Sequence, residues 1–220
     1  GLAAQRHAEE MAEFGYMSHW NMAGYGPEYR YSRAGGLDTA QENVYRLVYT
    51  WEGGGGAPIE DWERVVDEAE NALMNSPGHR ANILAPPHTH LGVGIAYNAA
   101  AGNVAIAQEF VNRYVTIEPL PRRAQPGDRI VLRGVPLEGS RNPLVNLAYE
   151  PFPEPMTLEE LNQTGTYTPQ AEHMAVPPVV AGNDGRFVSE FTLSGDAAPG
   201  LYHVLMWVEA EGFDERVQAV

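Results

Sequence analysis

The hydrophobic pattern of the first half of the chain predicts helices followed by a β-hairpin. Apolar residues at helical spacing predict one helix over 2–14, and a stronger apolar stripe predicts a second over 58–75. Pro58 suits the first turn of that second helix, and the "SPG" after Asn75 ends it. "HRANIL" is typical of another short helix, and "HLGVGIAYN" and "NVAIAQEFVNRY" are typical of two strands joined by small residues. This order indicates an α+β domain.

The pattern changes after about residue 116, where short alternating segments replace the helical stripes. Four such segments, "RIVLRGV", "LVNLAYE", "GRFVSEFTLSG" and "GLYHVLMWVEA", are separated by turns rich in Gly and Pro. Short strands without a long helix predict an all-β sandwich of the immunoglobulin-like kind. The stretch 117–128 contains three prolines and is the expected linker. The predicted domains are therefore 1–116 and 117–220.

Composition excludes some classes of binding partner but does not indicate a cellular compartment. The formal net charge of −15 argues against nucleic acid and against an anionic membrane surface. The chain has no cysteine, so neither disulfides nor thiolate chemistry is possible. No apolar run approaches the roughly 20 residues of a membrane span. The helical pattern that begins at once is typical of a trimmed or processed start, so the absence of a signal peptide does not indicate a compartment.

Three residues stand out as candidates for chemistry: His19 at the end of "GYMSH", Glu42 in "AQEN" and His79 in "SPGHR". Histidine and carboxylate side chains are the usual components of a zinc site or of an acid/base pair. Their separations, 23 and 37 residues, match no short zinc motif such as HExxH. Spacing alone therefore does not predict that they converge, and each by itself is typical of a hydrogen-bonded structural or surface residue.

Five motifs in order carry a resemblance that spacing does not. "RHAEEMAEFGYMSH", "AQEN", "MNSPGHRANIL", "LGVGIAY" and "IAQEF" lie between residues 6 and 110. In this order they resemble bacterial members of the CAP superfamily, the SCP-like relatives of cysteine-rich secretory, venom-allergen and pathogenesis-related proteins. The resemblance implies a three-layer α-β-α sandwich with a cleft lined by His19, Glu42 and His79. Some family members bind a divalent metal, often zinc, through the two histidines.

The departures of the chain from the family pattern include Leu73, in place of the tryptophan common before "SPGH", and two positions in the motifs themselves. Gln41 replaces the glycine that usually precedes the motif glutamate, and Ser76 stands where eukaryotic members carry a second glutamate. Two interpretations of Ser76 remain open, a hydrogen bond within the site or a cap for the "PGHR" turn. Gln108 shares a strand face with Ile106 and Phe110, so it either reaches the cleft or makes a buried hydrogen bond.

Other side chains near these motifs have ordinary interpretations. His88 and His90 have H-x-H spacing but lie in a Pro-rich loop, where surface exposure is expected. His7 belongs to the first predicted helix, far along it from the cleft motif. An aromatic-rich loop, "GYGPEYRYSR", follows His19; it either presents a sugar-binding surface or packs on the domain.

The resemblance implies a secreted protein whose His/Glu-lined cleft binds a small amphipathic or cell-envelope ligand, with or without zinc or another divalent metal. One alternative is a metal-assisted or acid/base hydrolase, for which Glu42 is the candidate catalytic residue. Another is a structural or adhesive protein that acts through the sandwich. No Ser-His-Asp arrangement is recognisable and the second glutamate is absent, so binding is favoured over catalysis. The oligomeric state does not follow from the sequence.

Overall fold

The computed structural model describes residues 1–220 and divides the chain into two compact units. The first unit contains Gly1–Gly36, Ala40–Val111 and Glu154–Thr168, and the second contains Leu37–Thr39, Asn112–Pro153 and Pro169–Val220. The protein is of mixed α and β class, with 21% of its residues in helices and 36% in strands, in agreement with the predicted α+β class. None of its helices has the length and hydrophobicity of a membrane-spanning segment.

The first unit is built from five helices and a three-stranded sheet. The helices are α1 (Leu2–Phe14), α2 (Pro27–Arg33), α3 (Trp62–Asn75), α4 (Pro77–Ile83) and α5 (Leu158–Gln163). The strands are β1 (Thr39–Val48), β2 (His90–Asn98) and β3 (Asn103–Asn112). The sheet order is β1-β3-β2, and the predicted hairpin of β2 and β3 is antiparallel. Strand β3 is central in the sheet, and all of its residues are buried.

A separate hydrophobic cluster covers each face of this sheet, because successive residues of a strand point to opposite faces. Ala105 and Ala107 of β3 belong to a cluster with Ala4, Ala8 and Met11 of helix α1. The residues that alternate with them along the strand, Val104 and Ile106, belong to a second cluster with residues of α3. We refer below to the α1 face and the α3 face of the sheet.

The structure differs from the predicted elements at three places. Helix α3 begins at Trp62 rather than at Pro58, because the Asp61 side chain caps it by accepting the Arg64 backbone N–H at 2.9 Å. The aromatic-rich segment after His19 forms helix α2, with Pro27 in its first turn. The "QEN" motif lies in strand β1, whose mixed pattern did not predict a strand.

The second unit consists of two antiparallel sheets with four strands each. Their orders are β4-β5-β9-β8 and β11-β10-β6-β7. The strands are β4 (Val115–Ile117), β5 (Arg129–Pro136), β6 (Ser140–Pro151), β7 (Glu172–Ala175), β8 (Val179–Ala181), β9 (Phe187–Thr192), β10 (Gly200–Ala210) and β11 (Val217–Gln218). Both sheets contribute to one core; its members from the strands are Val115, Ile117, Leu132, Val145, Phe187, Met206, Val208, Ala210 and Val217.

Residues 154–168 do not follow the predicted division at residue 116. They are inserted between strands β6 and β7 of the second unit but are part of the first unit. Their helix α5 places Leu161, which is fully buried, in the α1-face cluster. We call residues 154–168 the strap.

Candidate functional site

Strand β1 is an edge strand, and two consecutive residues on it face opposite sides of the sheet. Glu42 shares the α1 face with Val44, a member of the α1-face cluster. Asn43 shares the α3 face with Tyr45, which packs on the α3-face cluster. Each of these two polar residues contacts one of the predicted site histidines.

On the α1 face, Glu42 is a buried carboxylate held by charged partners. Its Oε1 lies 3.0 Å from Nδ1 of His19, and its Oε2 accepts a hydrogen bond from Nη2 of Arg30 at 2.5 Å. Nε2 of His7 lies 4.0 Å from Oε1. The Glu42 side chain has no exposed area. Because its partners are fixed by helix α1, the loop after it and helix α2, the carboxylate connects three separate parts of the chain.

The charges around Glu42 decide its protonation. Burial alone would raise the pKa of Glu42, but the Arg30 guanidinium, with His7 and His19, outweighs burial and lowers the pKa to about 2. The pKa of His7 falls to about 4, first through burial and then through the charge of Arg30. Near neutral pH the pair is therefore a carboxylate beside a neutral His7. His7 donates its Nε2 hydrogen to the Ser18 carbonyl at 2.8 Å, and its Nδ1 has no partner.

Arg30 also fixes the backbone of the loop that carries His19. Its Nη1 donates to the His19 carbonyl at 2.6 Å and to the Tyr25 carbonyl at 3.2 Å. Nη2 of the same guanidinium binds Glu42, the carboxylate that contacts the His19 ring. Arg30 therefore binds both the main chain of His19 and the partner of its side chain. Arg30 thus determines both where His19 lies and which way its ring turns.

On the α3 face, Asn43 is the centre of a network of neutral amides. Its Nδ2 donates to the His79 carbonyl and to Oε1 of Gln108, each at 3.2 Å. Its Oδ1 accepts from Asn82 at 3.0 Å. Gln108, also buried, donates to Oε2 of Glu70 at 2.7 Å. Gln108 therefore makes the buried hydrogen bonds that were one of its two interpretations.

His79 and Ser76 lie at the start of helix α4. His79 is half-buried, and its pKa is lowered first by burial and then by the charge of His19. Burial therefore favours the neutral imidazole of His79 near pH 7. Ser76 occupies the position before α4 at which a cap is expected, but its side chain makes no capping hydrogen bond.

A second buried carboxyl group lies on the α1 face. Glu109 of β3 is 1% exposed, and neither of its carboxyl oxygens has a hydrogen-bond partner. The Ala4 backbone approaches it without the geometry of a hydrogen bond. Burial, and then the charge of Glu42, raise the pKa of Glu109 to about 7. This face thus contains one carboxyl group that stays ionised and one that titrates near neutrality.

Of the five predicted site residues, the structure brings His19 and Glu42 into direct contact. It places His79 and Gln108 in the Asn43 network and leaves Ser76 without a side-chain capping bond. His90 is exposed as expected, whereas His88 is half-buried and stacks on Phe110 at 5.0 Å.

The sequence did not point to Arg30, Asn43 or Glu70, nor to the role of His7. His7 could have been found, because it falls within the buried stripe of α1 at the spacing of Ala3, Ala4 and Met11. Asn43 would have followed from assigning "QEN" to a strand, which sends neighbouring residues to opposite faces. Arg30 and Glu70 carry no comparable signal.

Strand β1 contacts both motif histidines, and a family comparison covers the same part of the chain. A model of the CAP family, the cysteine-rich secretory protein family, matches residues 1–111, just over half of the chain. The chain belongs to the CAP family. CAP proteins are typically secreted. No curated protein matches this CAP protein.

The donor set of this CAP domain fits part of a metal site. Nδ1 of His19 is held by a carboxylate, the arrangement that orients the other ring nitrogen of a histidine toward a metal. His79 is kept neutral, as a ligand must be. No group of three or more His, Cys, Asp or Glu side chains is arranged to hold a metal ion. A metal ion at this site would therefore have to be held by the imidazoles of His19 and His79, with solvent or a ligand in the other positions.

Proposed function

We propose that this CAP domain is a secreted binding module of bacterial type, which holds a small amphipathic or cell-envelope ligand beside His19 and His79. The observation that carries the proposal is the state of Glu42. Both of its oxygens are engaged and its pKa lies near 2, so it is a weak base at neutral pH. A general base needs a pKa near the working pH and an oxygen free to accept a proton. Glu42 is better suited to positioning His19.

A divalent metal, with zinc as the first candidate, extends the same proposal. His19 and His79 would hold the ion, and Glu42 would orient the His19 ring through its contact with Nδ1. A bound zinc ion would supply a Lewis acid and a fixed positive charge. In either form the imidazoles of His19 and His79 are the contact groups of the proposed site.

For the second unit we propose an immunoglobulin-like fold. Lettered in chain order as A, B, C, C′, D, E, F and G, its sheets have the orders A-B-E-D and G-F-C-C′, which is the immunoglobulin arrangement. Tyr202 near the start of strand F donates its hydroxyl hydrogen to the Ala198 carbonyl at 2.7 Å. Immunoglobulin-like domains have a tyrosine corner of this kind, in which a tyrosine hydroxyl near the start of strand F bonds to the backbone a few residues upstream. This bond supports the assignment without the disulfide that antibody domains use.

Two probes test the proposed site: zinc, titrated by calorimetry into chelator-stripped protein, and a fluorescent fatty acid, titrated with and without zinc. We expect the His19→Ala/His79→Ala variant to lose about tenfold or more in affinity for the probe that binds, because both contact groups are removed. Glu42→Gln should lower the affinity for the probe, because it removes the carboxylate that orients His19. We expect no hydrolytic activity in either protein. His90→Ala, which changes an exposed histidine on the same unit, is the matched control.

Equal affinity of the wild-type protein and the double variant for both probes would contradict the proposal. Hydrolysis of an ester or peptide probe that is abolished by Glu42→Gln with unchanged probe affinity would favour the hydrolase alternative instead.

A further inference from the structure

The strap lies outside the part of the chain that matches the CAP family, yet it packs beside His19. It leaves the second unit after strand β6 and returns before β7. Helix α5 begins with a capping box formed by Thr157 and Glu160. Leu161 is fully buried in the α1-face cluster. The strap is therefore a folded part of the first unit.

Polar contacts attach the strap to both sides of the loop that carries His19. Before His19, the Met17 N–H donates to Oδ1 of Asn162 at 3.3 Å, and the hydroxyls of Ser18 and Thr164 lie 2.7 Å apart. After it, the Met22 carbonyl accepts the Met156 N–H at 2.9 Å. The loop is held on both sides of the histidine by residues far away in sequence.

Tyr167 brings the strap onto the imidazole itself. Its ring centroid lies 6.0 Å from that of His19 and 5.0 Å from that of Trp20. Its hydroxyl donates to Oε2 of Glu28 at 2.6 Å. At Gly26 a β-carbon would lie 2.4 Å from the Tyr167 hydroxyl oxygen, so only glycine fits beside the ring as it stands. The tyrosine is thus fixed at its ring and at its hydroxyl.

Glu42 and Tyr167 together limit what His19 presents to solvent. Glu42 holds Nδ1, Tyr167 lies beside the ring, and 11% of the His19 side chain is exposed. We propose that Tyr167 is a positioning residue for His19, and that the strap makes the CAP site depend on the second half of the chain. This inference deepens the proposed function, on which it rests, by adding an aromatic wall of Tyr167 and Trp20 to the histidine site.

The test measures the acylation of individual histidines by diethyl pyrocarbonate at pH 8, followed by peptide mass spectrometry. It requires no ligand, so its failure is distinguishable from a failure of the proposed function. We expect Tyr167→Ala to raise the rate at His19 about threefold or more, because reactivity follows exposure and 11% of the side chain is exposed in the wild type. His90, already exposed, is the internal reference.

A second variant perturbs Tyr167 from the opposite side. Gly26→Ala introduces no backbone strain, because φ at Gly26 is −77°, and it forces the Tyr167 ring to move. Gly26→Ala should raise the acylation rate of His19 as Tyr167→Ala does. The double variant Gly26→Ala/Tyr167→Ala should acylate His19 no faster than Tyr167→Ala alone. Gly165→Ala makes the same change within the strap where the new methyl group meets open space, and should leave the rate unchanged. Tyr167→Phe, which keeps the ring, should stay near the wild-type rate.

A merely structural role for Tyr167 gives a different result. Tyr167→Ala and Gly26→Ala would then lower the melting temperature while the folded proteins acylate His19 at the wild-type rate. That outcome in either variant would overturn the proposal. If Tyr167→Ala does not fold, Gly26→Ala with its Gly165→Ala control decides alone.

Discussion

The two faces of strand β1 hold the two site histidines with different chemistry. On the α1 face, His19 is fixed through its ring by a buried ion pair of Glu42 and Arg30. On the α3 face, His79 is fixed through its carbonyl by the neutral amide of Asn43. Buried charges depend strongly on pH and on every partner, whereas satisfied amides do not titrate. This difference teaches that the position of His19 can depend on pH while the amide bonds that hold His79, on the opposite face of the same strand, do not.

The largest expected effect comes from removing the cation of the charged face. Arg30→Met should cost about 3–5 kcal/mol of unfolding free energy, because it leaves Glu42 buried and without its main partner. Denaturant unfolding at pH 7 measures this cost. Arg33→Met, at the exposed end of the same helix, is the control and should change stability little. A loss of stability equal to that of the control would show that solvent reaches Glu42 and that the two faces do not differ.

Titration of Glu109 gives the next largest effect. The folded protein raises the pKa of this group from 4.5 to about 7, so the folded state binds more protons between these values. The contribution of Glu109 to the free energy of unfolding is therefore fully present below pH 4.5. It is lost as the pH rises through about 7, which lowers the free energy of unfolding by about 3 kcal/mol. Glu109→Gln should remove this loss and become more stable than the wild type above pH 7. Because both proteins contain His7 and Glu42, comparing their unfolding free energies at each pH removes the pH dependence that these two residues contribute.

The control for Glu109 is Glu13→Gln, which neutralises an exposed carboxylate of α1. Its stability difference from the wild type should stay small across the same range. If the Glu109→Gln difference is likewise constant from pH 5 to about 9, the carboxyl group is ionised throughout, and the pH sensitivity assigned to the α1 face is wrong.

The smallest expected effect of the three belongs to the neutral face. Asn43→Ala should cost about 1–3 kcal/mol, because the buried partner groups on Gln108, Asn82 and His79 lose their hydrogen bonds. From neutral to alkaline pH the cost should be nearly constant, since the lost bonds join amides and a main-chain carbonyl, which do not titrate. Gln41→Ala, an exposed neighbour on the same strand, is the control. A cost that changes strongly with pH would mean that the amide network responds to the charged face.

The sequence predicted the elements whose side-chain period was regular. Helix α1, strands β2 and β3 and the change to short strands after residue 116 followed from spacing and turns. Helix α2 and strand β1 did not, because Arg30 and Glu42 occupy positions where an apolar residue would have revealed the period. Their burial depends on each other, and a single-sequence pattern does not contain pairwise information.

The candidate site was predictable only in part, for a related reason. Motif resemblance selected His19, Glu42 and His79, and it applies only to residues within the family pattern. The strap lies beyond that pattern, and its polar sequence gives no sign that Leu161 is buried or that Tyr167 reaches His19. Contacts such as Met17 with Asn162, 145 residues apart, arise from tertiary folding rather than from local sequence.

The position of the strap in the chain also sets an order for biosynthesis. Leu161 leaves the ribosome 50 residues after Val111, the last residue of the family match. Domains usually fold as soon as they are synthesised, at about 5–20 residues per second. Here the nascent first unit has to wait, with part of its α1-face cluster uncovered, until strand β6 and the strap have followed. A gene fragment that stops at residue 116 encodes the family motifs but not the last piece of their core.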